Sequence, residues 1–431
     1  MSKVAKARYA AAAVPGFTHR TAMEEAARCL LCHDAPCSAA CPAGTDPGRF
    51  IRSIRFRNPK GAAETVRENN VIGGSCAWVC PYDNFCEEAC SRCGIDRPIE
   101  IGRLQRYVVE QEQVQKMKIL KPPAKKKGVK VACVGAGPAS LACAAELAKA
   151  GYAVTIFEAE EKAGGVLTYG ITPARLPQGV VDQDVAAIRG LGVRFALHTR
   201  VGADISLDAL REQGFAAFFL GAGLWKAQLP DIEGTDLAGV YAASGFLKTA
   251  RESRGRTGLA GKRAVVVGGG DVAMDCATTA KLTGAAHVAV YYRRTLEEAP
   301  ANMREIQYAL SLGISIVTNF APVRCVGADG KLQYVEFKGR DGNSSAQVAA
   351  DAAVFAIGQA PQDMRQLADL SLTEKGTVKT RSGGKTNLPD VFAAGDVANG
   401  GKTVVEAVAE GKKAAAAICK RLDALHEGRG K

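Results

Sequence analysis

The sequence predicts an α/β chain: a helical, cysteine-bearing N-terminal domain, then two Rossmann-like domains, the second inserted in the first. Three observations predict it. Nine of the 14 cysteines fall between Cys29 and Cys93. A strand–glycine-turn–helix–strand pattern begins at Lys130, and a second begins at Arg263. Strand, helix and strand within about 30 residues make a βαβ unit and hence a parallel sheet.

The first region, 1–120, has helical spacing in Thr21–Leu31 and Asp46–Asn58 and little alternation of β-branched residues. Its apolar faces are too short to support a core alone, so it reads as helices wrapped around metal. A lysine- and proline-rich stretch with Lys116, Lys118, Lys121, Pro122, Pro123, Lys125, Lys126 and Lys127 follows as a linker. Lys130–Gly135, Pro138–Ala150 and Ala153–Phe157 are then strand, helix and strand. Arg263–Gly268, Asp271–Thr283 and His287–Tyr292 repeat the order. The later strands Ala352–Ile357 and Val391–Ala394 carry no new glycine fingerprint, and both are expected to return to the first domain. The plan is therefore 129–228 and 351–431 for the first dinucleotide domain and 229–350 for the inserted one.

At 431 residues, with 47% hydrophobic and 23% charged residues, the composition is that of an ordinary soluble protein. No apolar run approaches the length of a membrane span, and the short run from Ala10 to Val14 is no signal segment. A cytoplasmic location without membrane contact is expected. The net charge of +12 fits a solvated basic surface, an acidic protein partner or nucleic acid. The basic–aromatic interleaving of single-strand binders is missing, so no nucleic-acid partner is expected.

Cytosolic thiols stay reduced, so a dense cysteine block points to metal and not to disulfides. From Cys29 the spacing is C-x2-C-x4-C-x3-C-P, through Cys32, Cys37 and Cys41. Cys76, Cys80, Cys86 and Cys90 follow in CAWVCPYDNFCEEAC. Short spacings ending in Cys-Pro favour iron–sulfur clusters, whose irons need thiolates at fixed separations. Structural zinc is the rival, but C-x4-C and C-x5-C are unusual for zinc ribbons and histidine is scarce. The remaining cysteines, Cys133, Cys143, Cys276, Cys325 and Cys419, sit in apolar or helical contexts and read as core residues.

The first glycine fingerprint is Gly135-Ala136-Gly137-Pro138-Ala139-Ser140. Gly135 makes the turn, and Gly137 lets a pyrophosphate approach the backbone at the helix N-terminus. Glu158 ends the next strand, where a carboxylate accepts hydrogen bonds from a ribose. The second fingerprint is Gly268-Gly269-Gly270-Asp271-Val272-Ala273. Its following strand ends in Arg293-Arg294 with no acid. Arginine binds a 2′-phosphate through charge-assisted bonds, which favours NADP over NAD. The alternative is a solvated loop. Near the end, Gly395-Asp396 follows a strand, where the acid meets ribityl or phosphate-linked oxygens. The helix predicted over Thr403–Ala414 presents Thr403 and Val404 at an N-terminus suited to the flavin pyrimidine edge. Two dinucleotide sites suggest one bound FAD and one exchangeable NAD(P)H.

These motifs together, with GGVLTYGITPARLP, VFAAGDV and PIEIGRLQRYV, make the chain resemble the N-terminal half of dihydropyrimidine dehydrogenase and the small subunits of glutamate synthase and bacterial two-chain dihydropyrimidine dehydrogenase. The resemblance covers essentially the whole chain. It implies two [4Fe–4S] clusters, one held by Cys29, Cys32, Cys37 and Cys90 and the other by Cys41, Cys80, Cys86 and Gln105. Cys76 and Cys93 fall outside those sets. It also implies FAD contacts from Gly165 and Arg175. The implied activity is electron transfer between NAD(P)H and a partner through FAD and the clusters, with no side-chain nucleophile or base. The chain ends soon after VFAAGDV, so the organic substrate is expected on a partner. That partner is an FMN-containing catalytic subunit reducing uracil or thymine, in a heterotetramer. The alternative is a glutamate synthase small subunit or a ferredoxin:NAD(P) reductase-like subunit.

Overall fold

A computed structural model describes residues 8–429, and these form two compact units. The larger comprises Pro15–Thr168, Gln178–Leu224 and the chain from Pro361 onward. The other comprises residues 8–14, Tyr169–Pro177 and Trp225–Ala360.

The N-terminal part of the larger unit is helical, as expected. Helices His19–Ala27, Pro47–Arg55, Pro59–Asn69, Gly73–Val79 and Ile101–Val114 surround a small core of Phe50, Ile51, Ile54, Val66 and Leu104. Their starts follow local chemistry. Asp46 accepts from Arg49 N at 3.0 Å and Asn58 from Gly61 N at 2.9 Å, each with proline in the first turn. The helix expected over Thr21–Leu31 stops at Ala27, because Leu31 takes a left-handed φ of 54° that turns the chain between Cys29 and Cys32.

The sheet that carries the first glycine fingerprint in this unit is parallel throughout. Its order is Val391–Ala393, Phe215–Leu220, Lys130–Val134, Ala153–Phe157, Arg194–Ala196. The last helix, Val404–Arg429, extends well past the predicted Ala414. Gly411 allows it to cross the fingerprint helix Pro138–Lys149, since a Cβ there would lie 2.2 Å from Ala139 O.

The second unit holds another parallel sheet, ordered Val240–Ala242, Ala352–Phe355, Arg263–Val267, His287–Tyr292, Ser315–Thr318. An antiparallel meander, Phe320–Ala328, Lys331–Gly339 and Ser345–Ala349, precedes the second of these in sequence. One expectation is corrected here. Ala352–Phe355 does not return to the first domain but pairs with Arg263–Val267. Asp351 pins it there, accepting from Arg263 N at 2.8 Å and from the guanidinium at 2.9 Å. Val391–Ala393 does pair with Phe215–Leu220 of the first domain's sheet. The inserted unit thus extends beyond 229–350, and the short antiparallel pair Lys226–Ala227 and Gln359–Ala360 joins its ends. Among the described residues, no helix is long and apolar enough to cross a membrane.

Candidate cofactor sites

Cys29, Cys32, Cys37 and Cys90 line one cavity, together with Pro36, Gly48 and Ile99. Three short segments deliver them: the turn after His19–Ala27, the helix Pro36–Ala39, and the turn before Ser91–Gly94. The Arg55 guanidinium holds the Cys29 carbonyl at 3.0 Å, and the Cys32 thiol donates to Ser91 Oγ at 3.5 Å. Burial pushes the Cys29 thiol up and the Cys37 thiol to about 11, with Cys90 adding like-charge repulsion to both. Such thiols ionise when positive iron compensates them. No three described His, Cys, Asp or Glu side chains converge on one point as ligands of a single ion do. Thiols spaced around a cavity suit a cluster, in which each thiolate takes a different iron, better than tetrahedral zinc.

The second group lies deeper. Burial pushes the Cys80 and Cys86 thiols well up, and both also feel Cys41. Gln105 is buried on helix Ile101–Val114, and its Nε2 donates to Gly73 O at 2.7 Å. That bond fixes the amide and leaves Oε1, the atom an iron would take, without a partner among the described residues. Gly102, beside it, is small because the Tyr82 ring occupies the place of a Cβ, at 2.1 Å. The exposed Cys93 thiol donates to Glu87 O at 3.4 Å. Cys76 is buried one helical turn before Cys80, and burial pushes its thiol up to about 12.

At the first fingerprint, Gly135 has φ 86° and a Cβ would lie 2.8 Å from Gly221 O. Gly137 caps helix Pro138–Lys149 without any side-chain bond, leaving first-turn N–H groups for an anion. A Cβ on Gly165 would lie 2.9 Å from Gly137 Cα, so that loop also needs glycine. Glu158 accepts from Ala136 N at 2.7 Å and Glu160 N at 2.9 Å, which aims it along the end of its strand. Burial raises its carboxyl, and these backbone donors partly offset the shift. Gly395 N donates to Glu410 Oε2 at 2.9 Å, and Asp396, raised by burial, accepts from Lys402 N at 3.2 Å. Thr403 and Glu406 cap the last helix reciprocally: Thr403 Oγ1 donates to Glu406 Oε2 at 2.7 Å, and Glu406 N donates to Thr403 Oγ1 at 3.3 Å. Val404 stands in the first turn, its N–H without a partner among the described residues.

At the second fingerprint, Gly268 has φ 149°, and a Cβ would lie 2.4 Å from Ala356 O. Gly270 caps helix Asp271–Leu282 without a side-chain bond. Asp271 accepts from Asn302 N at 2.7 Å, Val272 is exposed and Ala273 is fully buried. Arg293 and Arg294 are exposed past the end of His287–Tyr292 and form no ion pair among the described residues.

Arg175 belongs to the unit of the second fingerprint, where its guanidinium lies 2.7 Å from Asp275 Oδ2 and 2.8 Å from Glu305 Oε1. Burial raises the Asp275 carboxyl to about 6 and the Glu305 carboxyl to about 7, with Arg175 opposing both shifts. Unfolded carboxyls titrate near 4, so this cluster binds protons on folding between about pH 4 and 7. Its contribution to stability is present below that window and lost as pH rises through it. Chemical denaturation of the whole protein at pH 5 and 8 is expected to show this unit relatively less stable at pH 8, and Asp275→Asn is expected to reduce the difference.

Sequence reasoning missed Asp184, which joins the two parts of the larger unit. It accepts from Ser75 N and Ser75 Oγ, both at 2.7 Å, and pairs with the fully buried Arg67 at 2.5 Å. Arg67 also pairs with Glu112 at 2.8 Å. Lys412, on the last helix, donates to Ala43 O and Asn69 O, each at 2.6 Å. Only the paired charges at Arg67 and Asp184, distant in sequence, could have signalled the first of these contacts.

Residues 6–117 match the family model for dihydropyrimidine dehydrogenase domain II, 4Fe-4S cluster, and residues 129–411 match that for pyridine nucleotide-disulphide oxidoreductases. The NAD-dependent dihydropyrimidine dehydrogenase subunit PreT of Escherichia coli K12 is 45% identical over 405 residues, covering 94% of this chain and 95% of its own. The chain belongs to the PreT family. The glutamate synthase [NADPH] small chain of E. coli K12 is more distant, 33% identical with 94% of this chain and 93% of its own covered. Mycobacterium tuberculosis FprA shares the fold, with a TM-score of 0.59 at 19% identity over 70% of this chain and 86% of its own. As in the PreT family, the chain is an electron-transfer oxidoreductase subunit that uses a [4Fe–4S] centre, FAD and NAD(P)H.

Proposed function

We propose that this chain is the NAD(P)H-oxidising subunit of a cytoplasmic two-chain dihydropyrimidine dehydrogenase. An FMN-containing catalytic subunit would reduce uracil or thymine, and two copies of each chain would form a heterotetramer. FAD supplies the exchange between hydride and single electrons, and the clusters supply one-electron conduction. The observation that carries this reading is the fastening of the cysteine domain to the flavin fold. Lys412 and Asp184 of the flavin part hold backbone beside Cys41 and Cys76. Such anchoring suits passage of electrons within one chain.

The residues have separate tasks. The N-terminus of Pro138–Lys149 and Glu158 would bind the FAD pyrophosphate and ribose, and Gly395 and Asp396 would meet the remaining polar chain. Cys29, Cys32, Cys37 and Cys90 would hold one cluster, and Cys41, Cys80, Cys86 and Gln105 the other. Co-purification of an FMN protein, with uracil-dependent NAD(P)H oxidation by the pair, is the expected result. Association instead with a glutamate synthase large chain, and no pyrimidine-dependent turnover, would contradict it.

Arg293 and Arg294 support NADPH as the donor, since both are exposed and unpaired where a 2′-phosphate would lie. Charge-assisted hydrogen bonds contribute roughly 1.5–3 kcal/mol each, so Arg293→Ala with Arg294→Ala is expected to weaken NADPH at least about tenfold while leaving NADH nearly unchanged. Equal KM changes for the two nucleotides would remove the 2′-phosphate role.

A further inference from the structure

The loop that carries Arg293 and Arg294 is folded back on the second fingerprint, and one carboxylate closes it. Tyr292 is the last residue of the preceding strand, and its ring occupies the place of a Cβ on Gly269. Its hydroxyl donates to Glu298 O at 2.9 Å. Ala301 N donates to Gly269 O at 3.0 Å. Between these fastenings the Glu298 side chain bonds back to its own loop, its Oε2 accepting from Thr295 N at 3.0 Å. The same oxygen accepts from Arg340 Nη1 at 2.9 Å.

Arg340 comes from the antiparallel meander, in the turn between Lys331–Gly339 and Ser345–Ala349. That turn is braced. Asp341 accepts from Asn343 N at 3.0 Å, Ser344 N at 2.9 Å and Ser344 Oγ at 2.6 Å, and Gly339 N donates to Ser344 O at 2.8 Å. Arg340 N donates to Asn319 O at 2.8 Å, and Asn319 N donates to Arg294 O at 3.0 Å. Asn319 makes this relay from a left-handed φ of 63°, which asparagine tolerates better than most residues. Arg340 therefore reaches the arginine loop twice, through its backbone at Arg294 and through its side chain at Glu298.

Stability does not explain the pair. The Arg340 and Glu298 side chains are 57% and 41% exposed, and an exposed ion pair adds little to folding. The contacts instead fix a loop whose two arginines have to meet a phosphate. A loop ordered before binding loses less entropy on binding, which raises affinity. Arg340 also offsets the charge of Glu298, so the carboxylate can brace the loop without setting a free negative charge beside the phosphate.

We propose that Glu298 and Arg340 are positioning residues for the 2′-phosphate of the nicotinamide cofactor: their ion pair, together with the Thr295 N bond, holds the loop that presents Arg293 and Arg294. The proposal rests on the reading that those two arginines meet the 2′-phosphate. Glu298 and Arg340 act through the loop and need not touch the cofactor.

The test is the half-saturating concentration of NADPH and of NADH for flavin reduction in the whole anaerobic protein, measured by rapid mixing. The variants are Glu298→Ala, Glu298→Gln, Arg340→Ala and the Glu298→Ala/Arg340→Ala double variant, with Arg293→Ala/Arg294→Ala as the reference. Glu298→Ala and Arg340→Ala should each raise the NADPH value roughly three- to tenfold, the worth of one net hydrogen bond, and leave the NADH value within about twofold. Glu298→Gln, which keeps the acceptor, should recover most of the affinity. The double variant should bind NADPH no more weakly than the weaker single variant, because both residues act through one contact. An NADPH value unmoved or lowered in Glu298→Ala, while the reference variant loses NADPH selectively, would overturn the proposal alone. An equal rise for NADPH and NADH in Glu298→Ala would also overturn it, since that marks general damage beside the fingerprint. A reference variant that does not single out NADPH would overturn the 2′-phosphate reading, and the proposal with it.

Discussion

Asp184→Ala is expected to destabilise the larger unit by about 3–5 kcal/mol, the cost typical of removing one member of a buried ion pair. The Arg67 guanidinium is fully buried and would keep only Glu112 and the Val71 carbonyl. Ser75 N and Ser75 Oγ would lose their acceptor at the same time. Ser75 lies on Gly73–Val79, the helix that leads into Cys80, so the damage should reach the cysteine group. Loss of iron is expected before loss of flavin as denaturant rises. The order follows from the sheet around Lys130–Val134, which does not depend on Asp184. A conservative Asp184→Asn keeps the acceptor for Ser75 but not the charge, and should fall between the two. Denaturation followed by iron release and flavin fluorescence checks all three forms. Equal stability of Asp184→Ala and the parent would show that the network is incidental.

Gly268→Ala is expected to weaken nicotinamide binding about 10- to 100-fold while leaving flavin and iron in place. The φ of 149° is foreign to L residues, and the new Cβ would meet a backbone oxygen at 2.4 Å, which cannot rotate away. The turn into helix Asp271–Leu282 must shift, and with it the first-turn N–H groups that would face a pyrophosphate. A helix N-terminus contributes up to about 2 kcal/mol to anion binding, and charged hydrogen bonds roughly 1.5–3 kcal/mol each, so about 10- to 100-fold weaker NAD(P)H binding follows. Gly135→Ala makes the complementary case, with its Cβ 2.8 Å from Gly221 O, and should lose FAD instead. Parallel assays of bound flavin and of reduction by NAD(P)H separate the two sites. Loss of flavin from Gly268→Ala would contradict the assignment.

The fingerprints were legible because Gly135 and Gly268 occupy positive-φ turns that few residues can make, each followed two positions on by a glycine at the helix N-cap. The interruption of the first domain was legible from the absence of a third fingerprint. Its second boundary was not. Ala352–Phe355 and Val391–Ala393 are both short, fully buried strands, and hydrophobicity does not say which sheet a buried strand joins. The decision is made by Asp351 gripping Arg263, a pair 88 residues apart. Nor were the partners of Arg175 legible, since Asp275 and Glu305 lie more than 90 residues away. Cysteine spacing pointed to clusters, but the grouping came from resemblance. The cavity then brought Cys90 to Cys29, Cys32 and Cys37 across more than 50 residues of chain.

The most direct measurement is an anaerobic titration of the purified chain with NADPH and, separately, NADH, following flavin absorbance and cluster EPR against iron content. Two clusters require about eight irons per chain. The expected result is that number, flavin bleaching by nicotinamide, and reduced-cluster signals that appear without any partner present. A chain that holds zinc in place of iron, or whose flavin bleaches while fully loaded clusters never reduce even with a low-potential reductant, would contradict electron transfer from nicotinamide through flavin to the clusters.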